Sequence, residues 1–162
     1  MSMSIGVLHL VTMTFKSFYG FFIPLSPLLD SLYMLAFLLL PFSWIMMNGE
    51  CFFSYLVKKH NNPHYQMGSD RRYTDMEELF PNPVLYHLFF LLTTVFFVFS
   101  VLIVNHRISF INPYLCIGLI VFYCLYIHFH PTHPLFIFLY SFLLLLALFN
   151  IRTDLKIRKK RG

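Results

Sequence analysis

Apolar residues dominate five stretches of the chain, roughly residues 4–23, 28–57, 84–104, 114–129 and 135–150. Several approach the ~20 residues that a helix needs to cross a hydrocarbon core. Lys16 interrupts the first, and the "PLSP" at 24–27 turns the chain before the second, because each proline fixes φ and withholds a donor. At ~1.5 Å per residue the second stretch is longer than a crossing requires, so a kink near Pro41 and an end projecting past the lipid are expected. The polar loop 58–83 follows, with "TDMEELF" expected as a short interfacial turn capped by Thr74 or Asp75. The last two stretches, each about sixteen residues, flank "HFHPTHP". They either both cross a thin membrane or form a re-entrant hairpin. The pattern predicts an all-α polytopic membrane bundle of four to five transmembrane helices over residues 1–150, ending in a basic tail, 151–162.

Composition agrees. Of 162 residues, 58% are hydrophobic, 20% aromatic and only 12% charged, with mean hydropathy +0.68. A soluble domain of this length could not hide that much apolar side chain. The net charge of +5 is concentrated in the tail (Arg152, Lys156, Arg158, Lys159, Lys160, Arg161) and around the polar loop (Lys58, Lys59, Arg71, Arg72). Such clusters set orientation and touch anionic head groups. They favour a cytosolic tail, with the 58–83 loop on the opposite side if five helices cross, and on the same side if the last pair is re-entrant. Lipid head groups, a membrane-protein partner or a second copy are the expected partners, and nucleic acid is not. Cys51, Cys116 and Cys124 form neither a CxxC nor a zinc-finger spacing. The first residues lack a basic n-region and a cleavage site, so the first helix is expected to remain in the mature protein.

Candidate chemistry concentrates at one depth. With five crossings His9, His87, His128, His130 and His133 lie near the loop side, as do His60, His64, Glu50 and Cys51, while His106 lies near the tail. Imidazole, thiolate and carboxylate at one level are ligand types for haem or a transition metal. The candidate ligands are His128, His130, His133, His87 and Cys51. The competing explanation is that amphipathic side chains collect at membrane interfaces, and on it no cofactor is expected. Lys16 and Asp30 flank the "PLSP" turn, where each would snorkel to the interface or pair with the other. No GxSxG, HExxH or phosphate-binding glycine loop occurs, which leans against an enzyme. Arg158, Lys159, Lys160 and Arg161 offer a lipid or partner contact. The lysines at the third and fourth positions from the end also resemble a dilysine retrieval signal to the endoplasmic reticulum, meaningful on a cytosolic tail.

The segment "WIMMNGECFFSYLVKK" places Trp44, Asn48, Cys51 and Tyr55 on one face of a continuous helix, with Lys58 and Lys59 at head-group level. With "NPHYQMG" it resembles small multi-helix membrane proteins of large DNA viruses and their algal or protist hosts. It is also distantly similar to a bacterial domain of unknown function, through Trp44, Asn48, Glu50, Cys51, Ser54, Lys58 and Lys59. That domain has Cys-Pro-Leu-Thr where this chain has Cys-Phe-Phe-Ser. The resemblance implies a viral or endomembrane setting and no activity. A structural, scaffold or accessory role is therefore expected. Membrane redox or metal chemistry and a small transporter or viroporin-like oligomer are the alternatives.

Overall fold

The computed structural model describes residues 2–80, 82–129 and 134–161, and all regular structure among them is helical. The helices are α1 (Ser2–Phe22), α2 (Pro27–Met46), α3 (Phe52–Asn61), α4 (Thr74–Glu77), α5 (Pro83–Ile108), α6 (Pro113–Phe129) and α7 (Pro134–Arg161). Within them Ser4–Phe22, Pro27–Met46, Pro83–Ile108 and Pro134–Ile151 are long and apolar enough to cross a membrane, and α6 is apolar but shorter. This is a multi-pass membrane helix bundle. Its outward faces carry exposed Val7, Leu28, Leu39, Leu91, Phe99, Phe138 and Phe149, as lipid contact requires.

Proline and asparagine set the helix starts. Pro27 and Pro83 each stand in a first turn, where a missing N–H costs nothing. Asn82 caps α5 by accepting from the Val84 N–H at 2.8 Å. Hydroxyls inside the spans bond back to their own helix: Thr12 to the Leu8 carbonyl, Thr14 to Leu10 and Ser17 to Met13. α2 continues through Pro41, and the Tyr140 hydroxyl of α7 donates to the Leu38 carbonyl nearby.

The second apolar stretch is not one long helix. It ends at Met46, turns through Asn48 (φ 54°) and Gly49 (φ 86°), and restarts as α3 at Phe52. The expected common face of Trp44, Asn48, Cys51 and Tyr55 is therefore broken. The Gly49 N–H reaches back to the Trp44 carbonyl at 2.7 Å, closing the helix end with left-handed residues that only glycine and asparagine adopt cheaply.

Helices α1 and α5 run side by side in the same direction. The Gly20 N–H donates to Ser100 Oγ at 2.6 Å, and further along Arg107 donates to the carbonyls of Gly20 (2.6 Å) and Ile23 (2.8 Å), capping the end of α1. α2 runs back against both. Tyr33 donates to the Lys16 carbonyl at 2.8 Å, and its ring stacks on Tyr19 with centroids 4.4 Å apart. Trp44 stacks on Tyr123 and Tyr126 of α6. α7 folds back on α6, and the Asn150 side chain accepts from the Asn112 N–H at 2.8 Å. The far part of α7 thus lies at the end where α6 begins (the tail end), and α3 and α4 close the opposite, loop end. From Pro134 α7 continues as helix to Arg161, as the basic spacing predicts.

At Gly20 a Cβ would stand 2.8–2.9 Å from the Ser100 backbone and hydroxyl. Gly20→Val is expected to cost about 1–3 kcal/mol through overpacking of α1 on α5. Thermal unfolding of the detergent-solubilised protein against a lipid-facing Leu28→Ala control is the check.

Candidate active site

The loop end is built around two buried carboxylates. Glu50, just past the Asn48-Gly49 turn, has no exposed surface. It accepts from Lys58 Nζ, the Tyr65 hydroxyl and the Gly68 N–H, each at 2.9 Å. Lys58 is spent on the same knot, donating also to the carbonyls of Asp70 (2.5 Å) and Arg72 (2.8 Å). It does not mark head-group level, because its ammonium faces inward. Arg71 completes the turn by donating from Nε to the Asn48 carbonyl at 3.1 Å. These bonds hold residues 62–73 over α3 and fix the backbone on either side of Cys51.

Asp75 is the second carboxylate. Expected as a cap for its own short turn, it instead points into the bundle and accepts from His9 Nδ1 (2.6 Å) and from the Ser54 hydroxyl. Burial pushes the Asp75 carboxyl up, but the hydrogen bonds from His9 and Ser54 outweigh it, and it sits below its ordinary range. An ionised Asp75 only accepts, so the proton it shares with His9 belongs to Nδ1. With Nδ1 bonded to Asp75, the ring presents Nε2 to Cys51, whose Sγ lies 3.5 Å away. Phe53 stacks on the imidazole at 4.9 Å and holds the ring plane.

Cys51 is the N-cap residue of α3 in extended conformation. The N–H groups of that helix's first turn lack intrahelical acceptors and carry the positive end of its dipole. Cys51 and Ser54 stand one turn apart, so one face of α3 presents the thiol to His9 and the hydroxyl to Asp75. The three elements α1, α3 and α4 therefore deliver a thiol, an imidazole and a carboxylate in series.

Cys51 and His9 line a cavity of about 90 Å³ whose walls include Tyr73, Phe90 and Tyr123. Lys16 lines it too, seven residues along α1 from His9. Its ammonium lies 4.7 Å from the centre of the Phe97 ring and 3.4 Å from the Tyr123 hydroxyl. Lys16 thus turns into the bundle rather than to an interface. The hairpin pairing with Asp30 does not form: Asp30 is buried and accepts from the Tyr19 hydroxyl at 3.0 Å.

Of the predicted ligands, Cys51 meets His9 and not His87. His87 is exposed on the first turns of α5, in a separate groove. The side chain of His128, and His130 and His133 entirely, lie outside the described residues, as do the side chains of Arg158, Lys159, Lys160 and Arg161. His60 and His64 are exposed. Among the described residues no group of three or more His, Cys, Asp or Glu is placed to hold a metal ion. In the Cys51–His9–Asp75 series the imidazole stands between the other two. Asp75 and Ser54 were not singled out as site residues from the sequence. No family model, curated protein or solved structure matches the chain.

Two outcomes are expected of this architecture. Lys58→Ala leaves Glu50 buried without its cation and should cost about 3–5 kcal/mol, most of which Glu50→Gln with Lys58→Met restores. Thermal unfolding of both variants measures this. Second, the Asp75 and Asp70 carboxyls are held below their ordinary values, Asp70 chiefly by its hydrogen bonds from Arg72. A depressed folded-state pKa contributes stability above the unfolded value of about 3.9, lost as pH falls through the folded one. Protease resistance of the 62–73 loop is therefore expected to persist at pH 5 and to fail as the pH drops below about 4.

Proposed function

We propose that this protein is a membrane-embedded thiol enzyme that transfers an acyl group through Cys51. The observation that carries the reading is the series Cys51 Sγ–His9 Nε2 (3.5 Å), His9 Nδ1–Asp75 Oδ2 (2.6 Å), with Cys51 and His9 lining a cavity. Nucleophile, base and orienting group stand in the order that covalent catalysis needs. In the first half-reaction His9 takes the thiol proton and Cys51 sulfur attacks an acyl carbonyl. The first-turn N–H groups of α3 face the developing oxyanion. Collapse breaks the carbonyl bond to the leaving alcohol, which takes the proton back from His9 and leaves a thioester. An acceptor hydroxyl or water then gives its proton to His9 and attacks the thioester, freeing Cys51.

The setting follows the same reading. At 17 residues α6 spans about 26 Å, which suits the thin bilayer of the endoplasmic reticulum or a viral membrane derived from it. With the basic tail in the cytosol, the thiol lies on the lumenal side. The scaffold role expected from the motif-free spans is the competing reading. The series speaks for chemistry through its thiol: satisfying the buried Asp75 accounts for His9 Nδ1 but not for a sulfur 3.5 Å from Nε2.

The test uses full-length protein in nanodiscs with p-nitrophenyl butyrate. A burst of nitrophenolate equal to the protein present is expected, with a butyryl adduct on Cys51 that hydroxylamine removes. Cys51→Ala should abolish both, and His9→Gln and Asp75→Asn should each slow the burst about 10²-fold or more. Absence of any adduct on Cys51 in the folded protein would leave the scaffold reading standing.

A further inference from the structure

Next to the thiol cavity the loop end carries a second, larger depression, a groove of about 580 Å³ lined in part by Arg71, Arg72, Glu77, Tyr86 and His87. Tyr73, Phe90 and Ile127 line both, so the two spaces adjoin. The groove lies where α5 emerges, with exposed Leu91 on its membrane side and the arginines towards the loop. Aromatic and histidine side chains at the start of a span mark head-group level, and the apolar wall below marks the start of the acyl region. Arg72 is steadied by two 3.1 Å bonds to Asp70 yet keeps a side chain 72% exposed. Arg71 is anchored on the Asn48 carbonyl. Both guanidiniums are therefore placed by the loop that also positions Cys51.

From this placement we propose that the groove is the head-group subsite of a glycerophospholipid, whose phosphate is taken by Arg71 and Arg72 and whose acyl ester is thereby presented to Cys51. The inference rests on the thiol reading for its chemistry and on the groove alone for its binding. Guanidinium planes match phosphate oxygens, and they are the groups favoured wherever phosphate must be oriented rather than merely attracted. In a glycerophospholipid only the glycerol unit separates the phosphate from its ester carbonyls. A phosphate in the groove therefore leaves an ester beside the Tyr73–Phe90 wall, which is also a wall of the thiol cavity. Glu77 on the same lining repels a second negative charge, so it faces the hydroxyl or ammonium group that lies beyond the phosphate. Diacylglycerols and simple esters lack the group that the arginines hold.

Binding and chemistry are separated by using diether lipids, which carry the head group but no ester. Purified protein is titrated in detergent with diether phosphatidylethanolamine or with diether glycerol, and bound lipid is counted by native mass spectrometry. One phosphatidylethanolamine per chain is expected, with at least ten-fold weaker retention of diether glycerol. Arg72→Gln with His87→Gln, which alters two exposed side chains and leaves the Arg72 carbonyl that Lys58 holds in place, should weaken phospholipid retention at least ten-fold. With ester lipids, the same double variant should lower the ratio of Cys51 thioester formed from phospholipid to that formed from p-nitrophenyl butyrate by a similar factor. Equal retention of the two diether lipids, or an unaltered ratio in the variant, would overturn the head-group subsite even if Cys51 acylates. If p-nitrophenyl butyrate leaves no adduct but the diether phospholipid is still selected, the thiol reading fails and the binding site stands.

Discussion

A carboxylate at the edge of a hydrocarbon layer must be supplied with donors or give up its charge, and two such groups organise the loop end of this bundle. Glu50 and Asp75 are both buried. Glu50 lies between α2 and α3 and takes its donors from the chain that follows, which folds back over α3, while Asp75 takes one donor from α3 and one from α1. Lys58, Tyr65 and the Gly68 N–H go to Glu50, and His9 and Ser54 go to Asp75. The 58–83 loop is consequently no passive link between spans. Lys58 and Asp75 are turned inward because the alternative is an unpaired charge in a low-dielectric layer, which costs several kcal/mol even after relaxation.

The same constraint fixes the thiol. Between Glu50 and α3 there is room for one residue, and that residue is Cys51. Its sulfur is held beside a helix N-terminus on one side and His9 on the other. Asp75 holds His9 Nδ1, so the ring orientation that brings Nε2 to Cys51 is set by a residue the thiol does not touch. Asp75 also binds Ser54, which ties the base to the helix carrying the nucleophile. Three elements from distant parts of the chain are thus made rigid by hydrogen bonds to one carboxylate. A site built this way does not depend on the lipid to hold its geometry.

The helices were legible because lipid imposes a simple rule: a spanning helix must be long, apolar and internally hydrogen-bonded. The starts at Pro27, Pro83 and Pro113 and the helical tail follow from local chemistry alone. The break at Asn48-Gly49 did not, since a sequence in which Trp44, Asn48, Cys51 and Tyr55 share a face reads equally well as one helix. What decides it is the non-local demand of Arg71 and Glu50 on that turn. The site was half legible. His9, Cys51 and Glu50 are chemistry-bearing residues at one depth, and depth can be read from the pattern. Asp75 reads as a helix cap, and Ser54 carries no chemistry of its own in the sequence, because His9 and Ser54 lie 66 and 21 residues away from Asp75. A helical turn too short to need its own cap was the available signal that Asp75 serves something else.

Depth, finally, bears on why such a thiol would sit at a bundle end rather than in its middle. In the middle of the bilayer a lipid offers only methylenes, and nothing there for a nucleophile to attack. The ester carbonyls of membrane lipids lie just inside the head groups, and His9 on α1 and Tyr86 and Phe90 on α5 stand in the first part of their spans, towards that level. Lys16, seven residues deeper on the same face as His9, extends the polar lining into the core. Its charge meets the Phe97 and Tyr123 rings instead of a carboxylate among the described residues. A cation met by two rings and one hydroxyl has weaker support than one paired with a carboxylate, so its place on the cavity wall is tolerated only at some cost in stability. The arrangement makes sense if the cavity below the thiol receives a polar portion of what Cys51 binds, with the purely aliphatic part left to the lipid outside.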